Sequence, residues 1–134
     1  MSGHEIVFDS YSLIAFLQDE KGAEEIGRLL KQGNAKDRPL FLSVVNWGEV
    51  YYIFHRIGGR PAAQEAVENL DALPIEIVPV DRDLTQSAAL FKADFKMSYA
   101  DCFAAALAQQ KKATLVTGDK EFKEVEKLIK VHWI

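Results

Sequence analysis

Apolar residues fall into two alternating patterns along this chain: short continuous runs, and longer stretches in which they recur every three or four positions. The runs Glu5–Phe8, Leu40–Ser43, Ile75–Val78, Thr114–Thr117 and Lys130–Trp133 predict strands. The periodic stretches Ser12–Leu17, Ala23–Lys31, Val44–Ile57, Pro61–Leu70, Asp81–Phe95, Tyr99–Lys111 and Glu121–Leu128 predict helices. Strands apolar on both faces, alternating with helices, imply an α/β fold: a mostly parallel central sheet covered by helices in a three-layer α/β/α sandwich.

Breaks in the pattern carry turn chemistry. Gly33-Asn34-Ala35-Lys36-Asp37-Arg38-Pro39 is a polar loop, and Gly58-Gly59-Arg60-Pro61 separates two helices, with Pro61 tolerated in a first turn. No repeat, low-complexity tract or interdomain linker interrupts the 134 residues, so a single domain over 1–134 is expected.

Four acids break the apolar pattern where a solvated acid would be out of place. Asp9 ends Ile6-Val7-Phe8, Glu49 interrupts Val44-Val45-Asn46-Trp47-Gly48-Glu49-Val50-Tyr51-Tyr52, Asp101 lies in Tyr99-Ala100-Asp101-Cys102-Phe103, and Asp119 follows Leu115-Val116-Thr117-Gly118. A carboxylate in apolar surroundings must be paired, protonated or bound to a cation. No run of Lys or Arg accompanies these four, which points to a hard divalent metal, Mg²⁺ or Mn²⁺, on oxygen ligands. In open parallel sheets the ligand crevice lies beyond the carboxyl ends of the strands, where Asp9 and Asp119 are both predicted to stand.

Each acid also has a plainer reading. Asp9 can cap a helix starting near Ser12, and Asp119 can cap the one after it. Ser98-Tyr99-Ala100-Asp101 fits a capping box. Glu49 shares a helix face with Val45, Tyr52 and Arg56, so an ion pair with Arg56 is its plainer role, though two helical turns separate them. Gly48, inside that helix, costs about 1 kcal/mol against Ala, with close packing as the only account.

The remaining chemistry is thin. His4, His55 and His132 lack metal-ligand spacing, Cys102 reads as a small buried hydrophobe without a disulfide partner, and Gly58-Gly59 lacks the strand and Lys-Ser/Thr of a phosphate loop. No apolar run approaches the ~20 residues of a membrane span, and the start of the chain does not resemble a secretion signal, so a cytoplasmic protein is expected. The net charge of −4 ordinarily argues against nucleic acid. Discounting the four acids leaves the rest of the chain neutral, so the acidity is local and a metal-bridged nucleic acid stays open.

Together, Val7-Phe8-Asp9-Ser10, Ser43-Val44-Val45-Asn46-Trp47-Gly48-Glu49, Met97-Ser98-Tyr99-Ala100-Asp101-Cys102-Phe103 and Leu115-Val116-Thr117-Gly118-Asp119 resemble the PIN-domain nucleases, with a size like the VapC-type toxins. The resemblance spans essentially the whole chain. It implies a Mg²⁺- or Mn²⁺-dependent endoribonuclease with RNA as substrate. Asp9, Glu49, Asp101 and Asp119 fall on the family's catalytic, metal-binding quartet, and Ser10 and Thr117 on supporting hydroxyl positions. Some relatives carry a further acid after the fourth, a place that Glu121 or Glu124 can fill. The resemblance also implies a cognate antitoxin.

The chemistry agrees with this reading. Divalent ions lower the pKa of bound water and clamp the oxygens of an in-line displacement, and four acids with two such ions turn a phosphate-repelling pocket neutral. Asp9 and Asp101 are assigned as direct ligands, with Glu49 and Asp119 completing a second position or orienting water. Lys96 and Lys120 are the candidate RNA contacts, with Arg56 and Arg60 if their helix turns to the mouth, and Tyr51, Tyr52 and Tyr99 can stack bases. Helices bearing Trp47, Tyr51, Phe54, Phe91 and Phe95 have more aromatic surface than one small sheet needs, which suggests a homodimer. The alternative is a receiver-like signalling module that binds Mg²⁺ without nuclease activity. It expects adjacent acids after the first strand and a Lys after the fifth, neither of which occurs here.

Overall fold

A computed structural model describes residues 5–35 and 38–134; His4 and the Lys36-Asp37 part of the expected loop lie outside the described residues. Five parallel strands, β1 (Ile6–Phe8), β2 (Leu40–Ser43), β3 (Glu76–Val78), β4 (Thr114–Thr117) and β5 (Lys130–Trp133), form one sheet in the order β3-β2-β1-β4-β5. Between them run α1 (Ser10–Leu17), α2 (Ala23–Ala35), α3 (Val44–Asp71), α4 (Arg82–Asp94), α5 (Tyr99–Lys111) and a 3₁₀ segment, Lys120–Val125. This is the three-layer α/β/α arrangement. Receiver-type modules order their strands 2-1-3-4-5, so the topology departs from that alternative.

Strand alternation builds two cores. Ile6, Phe8, Leu40, Leu42 and Val116 point to the face covered by α1, α2 and α3. Val7, Phe41 and Leu115 point to the opposite face, against α4, α5 and the 3₁₀ segment. Every residue from Asp101 to Ala108 on α5 is buried. A helix closed in on all sides needs small side chains, and Ala104, Ala105, Ala106 and Ala108 supply them.

Three sequence expectations change. The region expected as a helix over Glu121–Leu128 is a 3₁₀ turn ending at Val125. α3 runs through the expected break, but Gly58 and Gly59 leave helical geometry, Gly59 with φ 76°, so the two segments meet at a kink rather than a loop. The aromatic surplus also disappears: Phe91 is buried, Phe95 packs on its core, and Trp47 and Phe54 pack on the other. The exposed large apolar side chains are instead Tyr11, Val44, Tyr52, Ile57, Leu90, Tyr99 and Leu128.

The sheet order reverses between β1 and β4. Their carboxyl ends lie side by side there, with Asp9 directly after one and Asp119 two residues after the other. That switch point is where an open α/β sheet leaves a crevice.

Candidate metal centre

Local backbone chemistry puts each acid in place. Asp9 caps α1: Oδ1 accepts from the Ser12 amide at 2.9 Å, so the helix begins at Ser10, two residues earlier than expected. Oδ2 accepts from the Thr117 hydroxyl at 2.5 Å. Thr117 Oγ1 in turn accepts from the Asp119 amide at 3.0 Å, joining the ends of β1 and β4 through one hydroxyl. Asp119 Oδ1 accepts from the Glu121 amide at 2.9 Å and caps the 3₁₀ segment. Each cap uses one oxygen, and while the second oxygen of Asp9 is taken by Thr117, Asp119 keeps its carboxylate within reach of the neighbouring acids.

The capping box proposed for Asp101 closes only halfway. Ser98 Oγ accepts from the Asp101 amide at 3.2 Å, but the Ser98 amide donates to Glu121 Oε1 at 2.8 Å. The Asp101 carboxyl is thereby left for the cluster. Carboxylate oxygens of Asp101, Asp119 and Glu121 all lie within 4.8 Å of one another. Glu124 instead meets the Lys96 amide at 3.4 Å, so of the two later acids Glu121 is the one that joins the group.

Glu49 does not pair with Arg56, whose guanidinium lies 4.8 Å above the Tyr52 ring. Its Oε1 accepts from the Ser10 hydroxyl at 2.8 Å and from Asn46 Nδ2 at 2.9 Å. Asn46 Nδ2 also reaches the Ala100 carbonyl at 3.2 Å, tying α3 to the start of α5. Sequence reading missed Asn46. Its one signal is a fully buried amide three residues before Glu49, visible only as a polar residue among apolar ones.

A cleft of about 580 Å³ exposes Glu49, Asp101, Asp119 and Glu121 together with Ser10 and Ser98. Tyr11, Ile14 and Ile53 form an apolar wall, and Lys21 is its lining cation. Asp9 sits fully buried behind this surface. Lys96 and Lys120 are exposed but outside the cleft lining. Tyr51 stacks between Trp47 and His55, and Tyr99 meets Phe103 edge-on.

The electrostatics are those of an uncompensated carboxylate cluster. Burial raises the Asp9 carboxyl to about 6, against the lowering effect of its bonds from Thr117 and Ser12. Burial, with Asp119 next in weight and then Asp9 and Glu121, pushes Asp101 up to about 9. Among the described residues the ion pairs are Arg28–Glu25 and His132–Glu25, so no cation is paired with these acids. Adjacent oxygen donors, raised proton affinity and no balancing Lys or Arg fit a hard divalent cation, with Asp101, Asp119 and Glu121 as the residues best placed to hold it. The Cys102 thiol is part of the α5 core, and burial pushes it up, with Asp101 and Glu121 adding to the rise.

Comparison with known proteins agrees with this architecture. The profile of the PIN domain matches residues 6–128. No curated protein sequence matches the chain. The fold is similar to VapBC2 from Rickettsia felis, solved bound to a DNA fragment from its promoter, with TM-score 0.75 and 19% identity over 96% of this chain and 98% of that one. It is similar to DNA-bound VapBC from Salmonella typhimurium, with TM-score 0.73 and 15% identity over 96% of each chain. It is also similar to Mycobacterium tuberculosis VapC20, a toxin that cleaves the sarcin-ricin loop, with TM-score 0.67 and 21% identity over 89% of this chain and 93% of that one.

Proposed function

Because the chain belongs to the PIN-domain family, we propose that it is a single-domain, Mg²⁺- or Mn²⁺-dependent endoribonuclease and the toxin of a toxin–antitoxin pair. The observation that carries the reading is the convergence of Asp101, Asp119 and Glu121 oxygens within 4.8 Å at the switch point of the sheet, without a balancing cation among the described residues. A bound divalent ion supplies an activated water and neutralises charge on the phosphoryl oxygens.

The chain's own residues do the positioning. Asp101, Asp119 and Glu121 hold the ion, while Asp9 adds buried negative charge and fixes Thr117, whose hydroxyl orients the Asp119 backbone. Glu49, held by Ser10 and Asn46, faces the same cleft and is placed to orient water or complete a second cation position. Metal-binding roles thus fall to Asp101, Asp119 and Glu121, with Glu49 at the second position, while Asp9, expected as a direct ligand, acts from behind them with both oxygens engaged, and Ser10 and Thr117 support the group. Lys96 and Lys120 contact RNA phosphates at the outer surface rather than in the cleft.

The chain acts in the cytoplasm as a homodimer held inactive by an antitoxin. Supporting this are the toxin–antitoxin assemblies among its structural relatives, its exposed apolar side chains, and the absence among the described residues of a helix long and apolar enough to cross a membrane. Incubation with structured and unstructured RNAs should give cleavage that requires Mg²⁺ or Mn²⁺ and stops in EDTA. Equal cleavage by Asp119→Asn would assign the activity to a contaminant and overturn the reading. Sedimentation equilibrium at micromolar concentration tests the dimer.

A further inference from the structure

Gly118 packs directly against the Tyr11 ring. Its backbone has no left-handed φ, yet a Cβ at this position would stand 2.4 Å from Tyr11 Cε1 and 3.2 Å from Tyr11 Oη. The residue before Asp119 has no side chain, and the space is filled by an aromatic ring. That ring is not core: Tyr11 is 46% exposed, and it lines the cleft beside Asp119 and Glu49. Its position is set from two sides, by the first turn of α1, whose Ser10 is bonded to Glu49, and by the flat Gly118 backbone. Ile14 and Ile53 continue the apolar wall, and Lys21 stands at the wall as its lining cation, with no ion pair among the described residues.

A cleft in which a half-exposed ring stands beside the acid cluster fits a molecule that carries a charged group next to a planar, uncharged, aromatic one. A nucleotide is such a molecule, its phosphate drawn to a metal-occupied acid cluster and its base left over the ring. A base in a helical stack has no free face, whereas an unpaired one gains from stacking on an aromatic side chain. We propose that Tyr11 is the stacking platform for an unstacked nucleobase flanking the cleaved phosphate. This rests on the nuclease reading above and deepens it.

The test uses a short single-stranded RNA, intact or with one abasic nucleotide beside the cleaved bond. Cleavage is followed in Mg²⁺, and binding in Ca²⁺ by fluorescence anisotropy. Tyr11→Leu, which keeps apolar bulk against Gly118, should raise KM and weaken binding about tenfold with kcat little changed. Tyr11→Phe, retaining the ring, should recover most of that loss. The abasic RNA should bind wild type about tenfold more weakly, yet cost Tyr11→Leu nothing further. An abasic loss of equal size in wild type and Tyr11→Leu would overturn the stacking role, as would a Tyr11→Phe defect as large as that of Tyr11→Leu. Cleavage without this interdependence removes the platform and leaves the nuclease reading standing. Interdependent binding without cleavage in Mg²⁺ or Mn²⁺ keeps the platform and removes the nuclease, and neither signal overturns both.

Discussion

The amide of Ser98 donates to Glu121 across 23 residues of sequence, at 2.8 Å, and not to Asp101 in its own first turn. One hydrogen bond thus does two things. It ties the N-cap residue of α5, whose hydroxyl accepts from the Asp101 amide, to the segment after β4, and it brings the Glu121 carboxylate to Asp101 and Asp119 while leaving the Asp101 carboxyl unspent. Removing the charge and removing the bond are separable. Glu121→Gln should keep the bond from the Ser98 amide and lower Mn²⁺ affinity at least tenfold in calorimetric titration, with an unchanged or raised melting temperature in EDTA. Glu121→Ala should lose the bond as well, and because that bond is exposed and the Ser98 hydroxyl still caps α5, it should destabilise by no more than about 1 kcal/mol. Equal Mn²⁺ affinity in wild type and Glu121→Gln would remove Glu121 from the site.

The raised carboxyls fix the sign of the pH dependence. Asp9 at about 6 and Asp101 at about 9 both lie above the ordinary 3.8, so the metal-free folded protein binds protons that the unfolded chain has released. Their contribution is fully present below about pH 4 and is lost as pH rises through about 6 and then about 9. Melting temperature in EDTA should fall between pH 5 and pH 9, and Asp101→Asn should flatten the upper part of that fall. Mg²⁺ affinity should rise over the same range, because the ion competes with those protons. A melting temperature that climbs with pH in EDTA would contradict the cluster's electrostatics.

Mutual repulsion makes the site costly without its ion. Asp→Asn keeps shape and, at Asp9, most of the capping ability; at pH 8 it removes a charge at Asp9, and at Asp101 it removes the cost of holding a proton that the unfolded chain releases. Asp9→Asn and Asp101→Asn should melt higher than wild type in EDTA at pH 8, and Mg²⁺ should raise wild type more than either variant. A clear fall for both would assign these acids to structure alone.

Gly48 has nothing within 4 Å of where a Cβ would stand, so close packing does not explain it. In a helix interior such a glycine costs backbone entropy without a packing return, and Gly48→Ala should stabilise by about 0.5–1 kcal/mol in thermal or urea unfolding. A loss of stability would mean that the open space beside Glu49 is required.

Gly118→Ala is the opposite case, because its Cβ meets the Tyr11 ring. Because that ring is half-exposed and can swing aside, the substitution should destabilise by only about 1 kcal/mol or less, below the cost of overpacking a closed core. In a Tyr11→Ala background most of the cost should vanish, and a double-mutant cycle of the four unfolding free energies measures the coupling. Strict additivity would show that the two positions do not press on one another.

The sequence by itself determined the layers of this protein. Two-sided apolar strands such as Ile6-Val7-Phe8 and Leu40-Phe41-Leu42 require cover on both faces, and the helical periodicities between them supply it, because burial of apolar surface depends on pattern alone. It also marked Asp9, Glu49, Asp101 and Asp119, since an acid inside an apolar run needs a partner wherever the chain goes. What the pattern could not carry was which groups meet. That Ser98 turns to Glu121, that Asn46 and Ser10 rather than Arg56 hold Glu49, and that Gly118 yields to Tyr11 are contacts between distant segments, set by the sheet order β3-β2-β1-β4-β5. Local sequence offers the nearest partner of the right type, as Asp101 for Ser98 or Arg56 for Glu49. Tertiary packing replaces it with the one brought within reach when β1 and β4 lie side by side, because a polar group bonds to what is within about 3 Å of it and not to what is near in the chain.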